Sequence, residues 1–135
     1  MKGYLMQEKL FVRGEDTFIE SYSPENHFGV VFEDDGQTGY FYAVETDTGS
    51  KGQRVLDALH IYEVDESVAE KKSSELKMIW STDWMKSALV IDGQCHAVFD
   101  FSGHAGYNIN EFPPPNSFWS TNDRKLSSIL IQEFF

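Results

Sequence analysis

Four histidines and one cysteine are the side chains of this sequence best suited to acid–base or nucleophilic chemistry near neutral pH. They are His27, His60, His96, His104 and Cys95. His96 and Asp100 project from one face of a predicted strand about 13 Å apart, so the two side chains do not touch directly. His60 joins them only if its own strand is a neighbour. A small-ligand or metal-dependent enzyme site at His60, His96 and Asp100 is therefore one hypothesis, and hydrogen-bonded sheet histidines are the favoured alternative.

The motifs of familiar catalytic and metal sites do not occur in the sequence. It has no phosphate-binding Gly loop, no Cys pair for zinc, no Gly-x-Ser-x-Gly turn and no two-His helix motif. The acidic run 33–35 lacks the spaced carboxylates of a calcium loop. Cys95 falls on a predicted apolar stripe with Ala97 and Phe99, where a thiol is normally inert. We therefore predict no catalytic residue, no resident metal and no cofactor.

An irregular stretch, residues 106–115, is a different kind of candidate. It combines aromatic residues with a run of three prolines, which is extended and incompatible with a helix. Such segments present rigid apolar groups at low entropic cost and often form binding surfaces. The residues predicted to contact a partner are Tyr107, Asn108, Phe112, Pro113 and Pro114. The favoured alternative is that the stretch only covers a sheet, with Phe112, Phe118 and Trp119 buried.

The net charge of −11 limits the class of partner. It disfavours nucleic acid and anionic membranes, because both are bound through Lys and Arg patches. A basic protein is electrostatically easier to bind, although acidity can also serve solubility alone. A non-catalytic module that binds a basic protein is the first functional hypothesis.

The stretch from residue 28 to residue 44 predicts a central β-hairpin. Two runs of aromatic and β-branched residues flank Asp35-Gly36, and glycine supplies the positive φ of a tight turn. The connection is either a two-residue turn at Asp35-Gly36 or a four-residue loop over 35–38, and both place the same side chains on each side of the hairpin. One side then carries Phe28, Val30, Phe32, Phe41 and Ala43, and the other carries Val31, Tyr40, Tyr42 and Val44. Because both faces are apolar, a homodimer that covers the second face is a further hypothesis.

A second hairpin joins the predicted strands 87–91 and 94–101 through Asp92-Gly93. It places Val90 opposite Cys95 and Leu89 opposite His96. Further strands are predicted over 17–23 and 56–64, whereas 4–12 is a short helix or an edge strand and 65–74 is a charged connection or a short helix. Residues 120–123 are suited to cap a final helix, and a strand there is almost equally well supported.

Together these signals predict an antiparallel, mainly β domain, arranged as a meander-type sheet or a sandwich, with one or two short helices. A length of 135 residues with 41% hydrophobic content predicts a single domain over 1–135. No apolar run approaches the roughly 20 residues that cross a bilayer, and the first residues do not resemble a signal peptide. With Cys95 as the only cysteine, a reducing, cytoplasmic location is expected.

Four stretches carry a resemblance to known proteins. They are Glu15 to Pro24, Phe28 to Ala43, Leu56 to Tyr62, and His96 to Phe101 followed by Phe112 to Pro115. They resemble a family of small bacterial proteins described as a domain of unknown function, over about residues 15–115. The resemblance implies a bacterial, cytosolic origin and carries no information about an activity. Small acidic bacterial proteins of this kind also look like immunity proteins that neutralise toxins.

Overall fold

A computed structural model of the chain describes residues 1–46, 52–67 and 72–135. Its strands are β1 (Tyr4–Val12), β2 (Thr17–Tyr22), β3 (Phe28–Asp34), β4 (Thr38–Thr46), β5 (Gln53–Glu63), β6 (Ser73–Trp80), β7 (Lys86–Ile91), β8 (Gln94–Asp100) and β9 (Ala105–Asn108). One helix, α1 (Ser128–Phe134), follows them in the described part of the chain. The charged connection predicted over 65–74 lies partly outside the described residues.

The strands form two antiparallel sheets. The larger sheet has the order β1-β6-β7-β8-β9, and the smaller has the order β2-β3-β4-β5. A single cluster of buried side chains draws on both, including Phe32 and Phe41 from the smaller sheet and Trp80 and Phe99 from the larger. The mainly β, antiparallel fold class is confirmed, and the arrangement is two packed sheets.

The central hairpin forms as predicted, with the longer of the two turns. Asp34 pairs with Gly39, so four residues connect the two ends of this pairing. Phe32 lies opposite Phe41, and both side chains are completely buried in the core. The opposite side of the same strands carries Tyr40 and Tyr42, which are only partly buried. This hairpin therefore builds the core with one face and a protein surface with the other.

The second hairpin has the predicted turn but contains a β-bulge at His96. Val90 pairs with Cys95, whereas Leu89 pairs with Ala97 instead of His96. The predicted pairing of Leu89 with His96 is therefore wrong, because a bulge inserts one residue into one strand only. Directly opposed residues share a face, so Cys95 lies with Val90 on the side away from Leu89 and Ala97. Its predicted place on the core stripe is wrong for the same reason.

The two ends of the chain form an edge strand and a helix. Residues 4–12 are strand β1 rather than a helix, and the C-terminal segment is a helix rather than a strand. That helix begins later than expected, since Ser127 caps it by accepting a hydrogen bond from the backbone N–H of Leu130 at 3.1 Å. Within the stretch expected to be irregular, residues 105–108 form strand β9 beside β8.

Asp34, from the acidic run 33–35, connects two turns of the chain to strand β5 through its carboxylate. Its carboxylate accepts hydrogen bonds from the Tyr62 hydroxyl at 2.6 Å and from the backbone N–H groups of Gly14 and Gly36 at 2.8 Å each. Burial, and next to it the Asp34 hydrogen bond, raise the pKa of Tyr62, so this phenol stays protonated and donates. Asp34 is therefore a structural residue.

A buried ion pair between Asp57 and Arg124 joins β5 to the C-terminal part of the chain. Asp57 lies opposite Ala43 and so faces the core, where its two carboxylate oxygens accept hydrogen bonds from both terminal nitrogens of Arg124 at 2.8 Å. Both residues are almost completely buried. Arg124 also donates through Nε to the carbonyl of Pro113 at 2.6 Å and through Nη1 to that of Gly106 at 3.2 Å. The guanidinium thus binds β5, β9 and the proline run together.

Gly106 is required at this junction. A Cβ on Gly106 would lie 2.9 Å from Asp57 Oδ2, 3.0 Å from Arg124 Nη1 and 2.8 Å from the Phe99 ring. Those atoms are held by the ion pair and the core, so no side chain fits between them.

The chain contains one buried and one exposed arginine ion pair of the same length, so comparing them shows how burial changes the contribution of an ion pair to stability. Arg124→Met leaves a buried, unpaired carboxylate, and we expect it to lower the free energy of unfolding by about 3–5 kcal/mol. Arg54→Met breaks the exposed Arg54–Glu45 contact of the same 2.8 Å length and is expected to cost less than about 1 kcal/mol. Urea unfolding of both variants measures the difference. Equal losses would contradict the role given to Arg124.

Candidate functional site

His60 lies at the centre of a polar network on β5. Its Nδ1 is 2.6 Å from Asn110 Nδ2, and its Nε2 is 2.8 Å from Glu63 Oε1. Asn110 Oδ1 accepts hydrogen bonds from the backbone N–H of Phe112 and from Asn108 Nδ2, each at 3.0 Å, which orients the Asn110 amide. Asn110 therefore donates to Nδ1, and His60 donates from Nε2 to Glu63. Both ring nitrogens are used in holding the structure.

The backbone of His60 is also bound by the chain segment that follows β9. Its N–H donates to the carbonyl of Phe112 at 3.0 Å, and its carbonyl accepts from Asn108 Nδ2 at 2.8 Å. Since β5 is an edge strand of its sheet, these bonds satisfy backbone groups that would otherwise face solvent. Residues 108–112 are thereby fixed along β5.

A row of rings crosses the outer face of the smaller sheet. The Phe112 and His60 rings are 5.9 Å apart between centroids, His60 and Tyr40 are 5.4 Å apart, and Tyr40 and Tyr42 are 5.9 Å apart. Tyr42 and Phe18 then line one shallow pocket. We call these five residues, Phe112, His60, Tyr40, Tyr42 and Phe18, the aromatic band. Phe112 is 52% exposed and Phe18 is 60% exposed, so both ends of the band are open to a partner.

The pocket at the Phe18 end has a volume of about 180 Å³. Val31 and Val44 form its apolar floor, since both are buried residues of the two central strands. The remaining lining residues are Phe18, Tyr42, Val55, Glu33 and Gln53.

The charge around the band is negative. Glu20 and Glu33 lie on the same face as the band, and Glu63 contacts His60. The only Lys or Arg of strands β2 to β5 is Arg54, which is paired with Glu45. Burial, and next to it the negative charge of Glu33, raise the pKa of Tyr42. Glu33 and Tyr42 line the same pocket. An apolar surface with an acidic border is suited to cationic ligands.

The three residues of the predicted ligand site are placed in different surroundings. His60 is on the smaller sheet, whereas His96 and Asp100 are on β8 of the larger sheet. Asp100 accepts hydrogen bonds from Ser102 and Gly103 in the turn that follows its strand. Among residues 1–46, 52–67 and 72–135, no group of three or more His, Cys, Asp or Glu side chains is arranged to hold a metal ion.

The predicted partner-contact residues are also distributed over different environments. Phe112 is exposed on the aromatic band, and Pro114 is exposed beside it. Tyr107 packs against Phe134 of α1 at 5.9 Å between ring centroids, on the larger sheet. Asn108 is completely buried, and Pro113 is half-buried with its carbonyl bound by Arg124. Of the three aromatic residues expected to be covered, Trp119 is buried, while Phe112 and Phe118 are more than half exposed.

Cys95 has a weakly acidic thiol. Burial raises its pKa to about 11, and a backbone hydrogen bond with Ala97 has a smaller, opposite effect. The thiolate is the nucleophilic form of cysteine, and little of it exists near pH 7 at that pKa.

The structure joins residues that the sequence pattern leaves separate. The pattern places Tyr40 and Tyr42 on one side of the hairpin, and His60 and Phe112 in two different candidate sites. The sequence does not show that β4 and β5 are adjacent strands, or that residues 108–112 pack along β5. The pairing of Tyr40 with His60 depends on a β-bulge between Gly39 and Tyr40, which has no reliable sequence signal.

Comparison with known proteins places the chain in a bacterial family. A family profile described as "Uncharacterized protein conserved in bacteria (DUF2251)" matches residues 11–135. The chain belongs to this family. The resemblance predicted from the sequence is thus confirmed, and the DUF2251 match extends beyond it to include Arg124 and α1.

The chain is 41% identical over 99 residues to an uncharacterized protein of Haemophilus influenzae, a match that covers 72% of this chain and 60% of that protein. The chain therefore spans less than two thirds of the length of this relative. No solved structure matches the chain. In the described residues, no helix has the length and apolar character needed to cross a membrane.

His96 makes stability depend on pH. Burial lowers its pKa, the Arg13 charge lowers it further, and Asp92 opposes both. Below about pH 6.5 the unfolded chain takes up a proton that the folded chain does not, so stability falls as the pH falls. Above about pH 6.5 the imidazole is neutral in both states and contributes no pH dependence.

We expect His96→Gln to remove this part of the pH dependence. The stability of the wild type relative to the variant should be lower at about pH 5.5 than at about pH 8, as measured by urea unfolding at both values. Gln94→Asn, a change without a titrating group at an exposed position of the same strand, is the control and should leave the pH dependence nearly unchanged. A constant difference between wild type and His96→Gln would contradict a lowered His96 pKa.

Proposed function

We propose that the chain is a non-catalytic binding module of the bacterial cytosol that receives a basic protein on its aromatic band. The observation that carries the proposal is a row of aromatic rings, exposed at both ends and bordered by carboxylates, on a chain of net charge −11. Aromatic side chains supply much of the binding energy of protein interfaces, and a bordering charge selects a partner of the opposite sign.

The position of the band supports this assignment. It extends over neighbouring strands of the smaller sheet and the 108–112 segment, so its rings are held by backbone pairing rather than by a loop. A rigid surface loses little conformational entropy on binding. The exposed ends, Phe112 and Phe18, provide apolar groups at both borders.

The charge distribution favours a different protein over a second copy of this chain. A two-fold symmetric interface would place the same surface on both sides. Glu33 and Glu63, which border the band, would then face carboxylates of the partner copy, and like charges in an interface are unfavourable. A basic partner removes this repulsion. An immunity protein that neutralises a basic toxin is one kind of protein with this property.

A pair of variants tests the proposal. The tagged chain is used to capture proteins from a bacterial lysate at low and high salt, together with the double variant Phe18→Ser/Phe112→Ser. The control is Leu10→Ser/Ile129→Ser, which removes two similarly exposed apolar side chains outside the band. We expect a stoichiometric basic protein that binds the wild type and the control, is lost from the band variant, and dissociates as salt rises.

Three outcomes would overturn the proposal. They are the absence of any basic protein specific to the wild type, retention of that protein by the band variant, and its loss from the control variant. Light scattering that instead shows a stable dimer for the wild type and a monomer for Phe18→Ser/Phe112→Ser would assign the band to a second copy of this chain.

A further inference from the structure

The pocket at the Phe18 end of the aromatic band is too small for a complete organic ligand. Its volume is about 180 Å³, whereas pockets for drug-sized ligands and cofactors begin at about 300 Å³. It is also a depression in a sheet surface rather than a cleft between elements. The size suits one long side chain of a partner.

The lining combines aromatic faces with one carboxylate. Phe18 and Tyr42 contribute rings, Val55 adds aliphatic surface and is 51% exposed, and Glu33 contributes the charge. No Lys or Arg in the described part of the chain forms an ion pair with Glu33. The pocket therefore has a carboxylate whose charge is not balanced by a neighbouring cation among the described residues.

We propose that this pocket receives an arginine side chain of the partner, with the guanidinium stacked on the rings of Phe18 and Tyr42 and its N–H groups bonded to Glu33. The inference rests on the proposed function in one respect, namely that the partner is basic. Cation–π contact and a charge-assisted hydrogen bond are the two interactions that a guanidinium makes at once.

Arginine suits the pocket better than lysine. Its guanidinium is planar, weakly hydrated and able to stack on an aromatic face while it donates to a carboxylate. A lysine ammonium is a compact and strongly hydrated charge, and it would lose more hydration on entering an apolar pocket with a single carboxylate. The floor of Val31 and Val44 strengthens this preference, because it offers no hydrogen-bond acceptor from a side chain.

The test uses two defined probes, acetyl-Gly-Arg-Gly-amide and its lysine counterpart, titrated into the intact chain and followed by amide NMR shifts. We expect the arginine peptide to shift the amides of Phe18, Glu33, Tyr42 and Val55 and to bind more tightly than the lysine peptide. Glu33→Gln should weaken arginine binding roughly tenfold. Glu8→Gln makes the same charge change on β1 of the other sheet and should alter it less than about twofold.

A second variant separates the ring contribution from the charge. Phe18→Leu keeps an apolar side chain but removes the aromatic face, and it should weaken the arginine peptide more than the lysine peptide. Equal affinity for the two peptides, or equal effects of Glu33→Gln and Glu8→Gln, would overturn the arginine assignment.

These outcomes are distinguishable from failure of the proposed function. If capture of the basic protein requires Phe112 and Phe18 but is unaffected by Glu33→Gln, the aromatic band remains the interface and the arginine pocket is wrong. If the arginine peptide binds this pocket while protein capture is independent of the band, the pocket remains and the proposed function is wrong.

Discussion

The ion pair between Asp57 and Arg124 is the constraint on which the surface of this protein depends. Two buried charges are tolerated only when each is paired and its remaining hydrogen-bonding groups are satisfied. Arg124 meets that condition by donating to Asp57 and to the carbonyls of Gly106 and Pro113, which belong to separate parts of the chain. These hydrogen bonds hold the proline run and β9 against β5, because separating them would leave a buried guanidinium without its acceptors. Gly106 leaves the space that this contact needs.

The consequences extend from the buried pair to the outer face. Once the proline run is held, residues 108–112 can pair with the backbone of His60, and Phe112 is placed beside the His60 ring. The band then continues over Tyr40 and Tyr42 to Phe18, because side chains alternate along a strand and neighbouring strands align their outward residues. Its acidic border follows from the scarcity of basic residues in these strands, where Arg54 is the only Lys or Arg. The proposed recognition of a basic protein is therefore a property of the same packing that stabilises the fold.

The sequence predicts those parts of the fold that depend on local pattern. Alternation over Phe28 to Val44 determines which residues face the core, and Asp92-Gly93 locates the second turn. Features that depend on long-range contacts are not predictable in this way: the bulge at His96, the inward position of Asp57, and the pairing of Arg124 with a residue 67 positions earlier. Apolar spacing supports a final helix almost equally with a strand, and it does not locate the cap at Ser127. His60 and Phe112 each stand out in the sequence, yet their contact depends on a chain segment with no strong periodicity.

The most direct test of this account is the hydrogen-exchange rate of the His60 backbone amide in the intact protein. This N–H lies on the free edge of β5, and its hydrogen-bond partner is the carbonyl of Phe112. If the Asp57–Arg124 pair holds the 108–112 segment in place, the His60 amide will be protected to a degree similar to amides in the central strands, such as that of Phe41. Exchange of His60 at the rate of an unprotected amide, with Phe41 still protected, would show that the segment is not held and that the aromatic band is not a single surface.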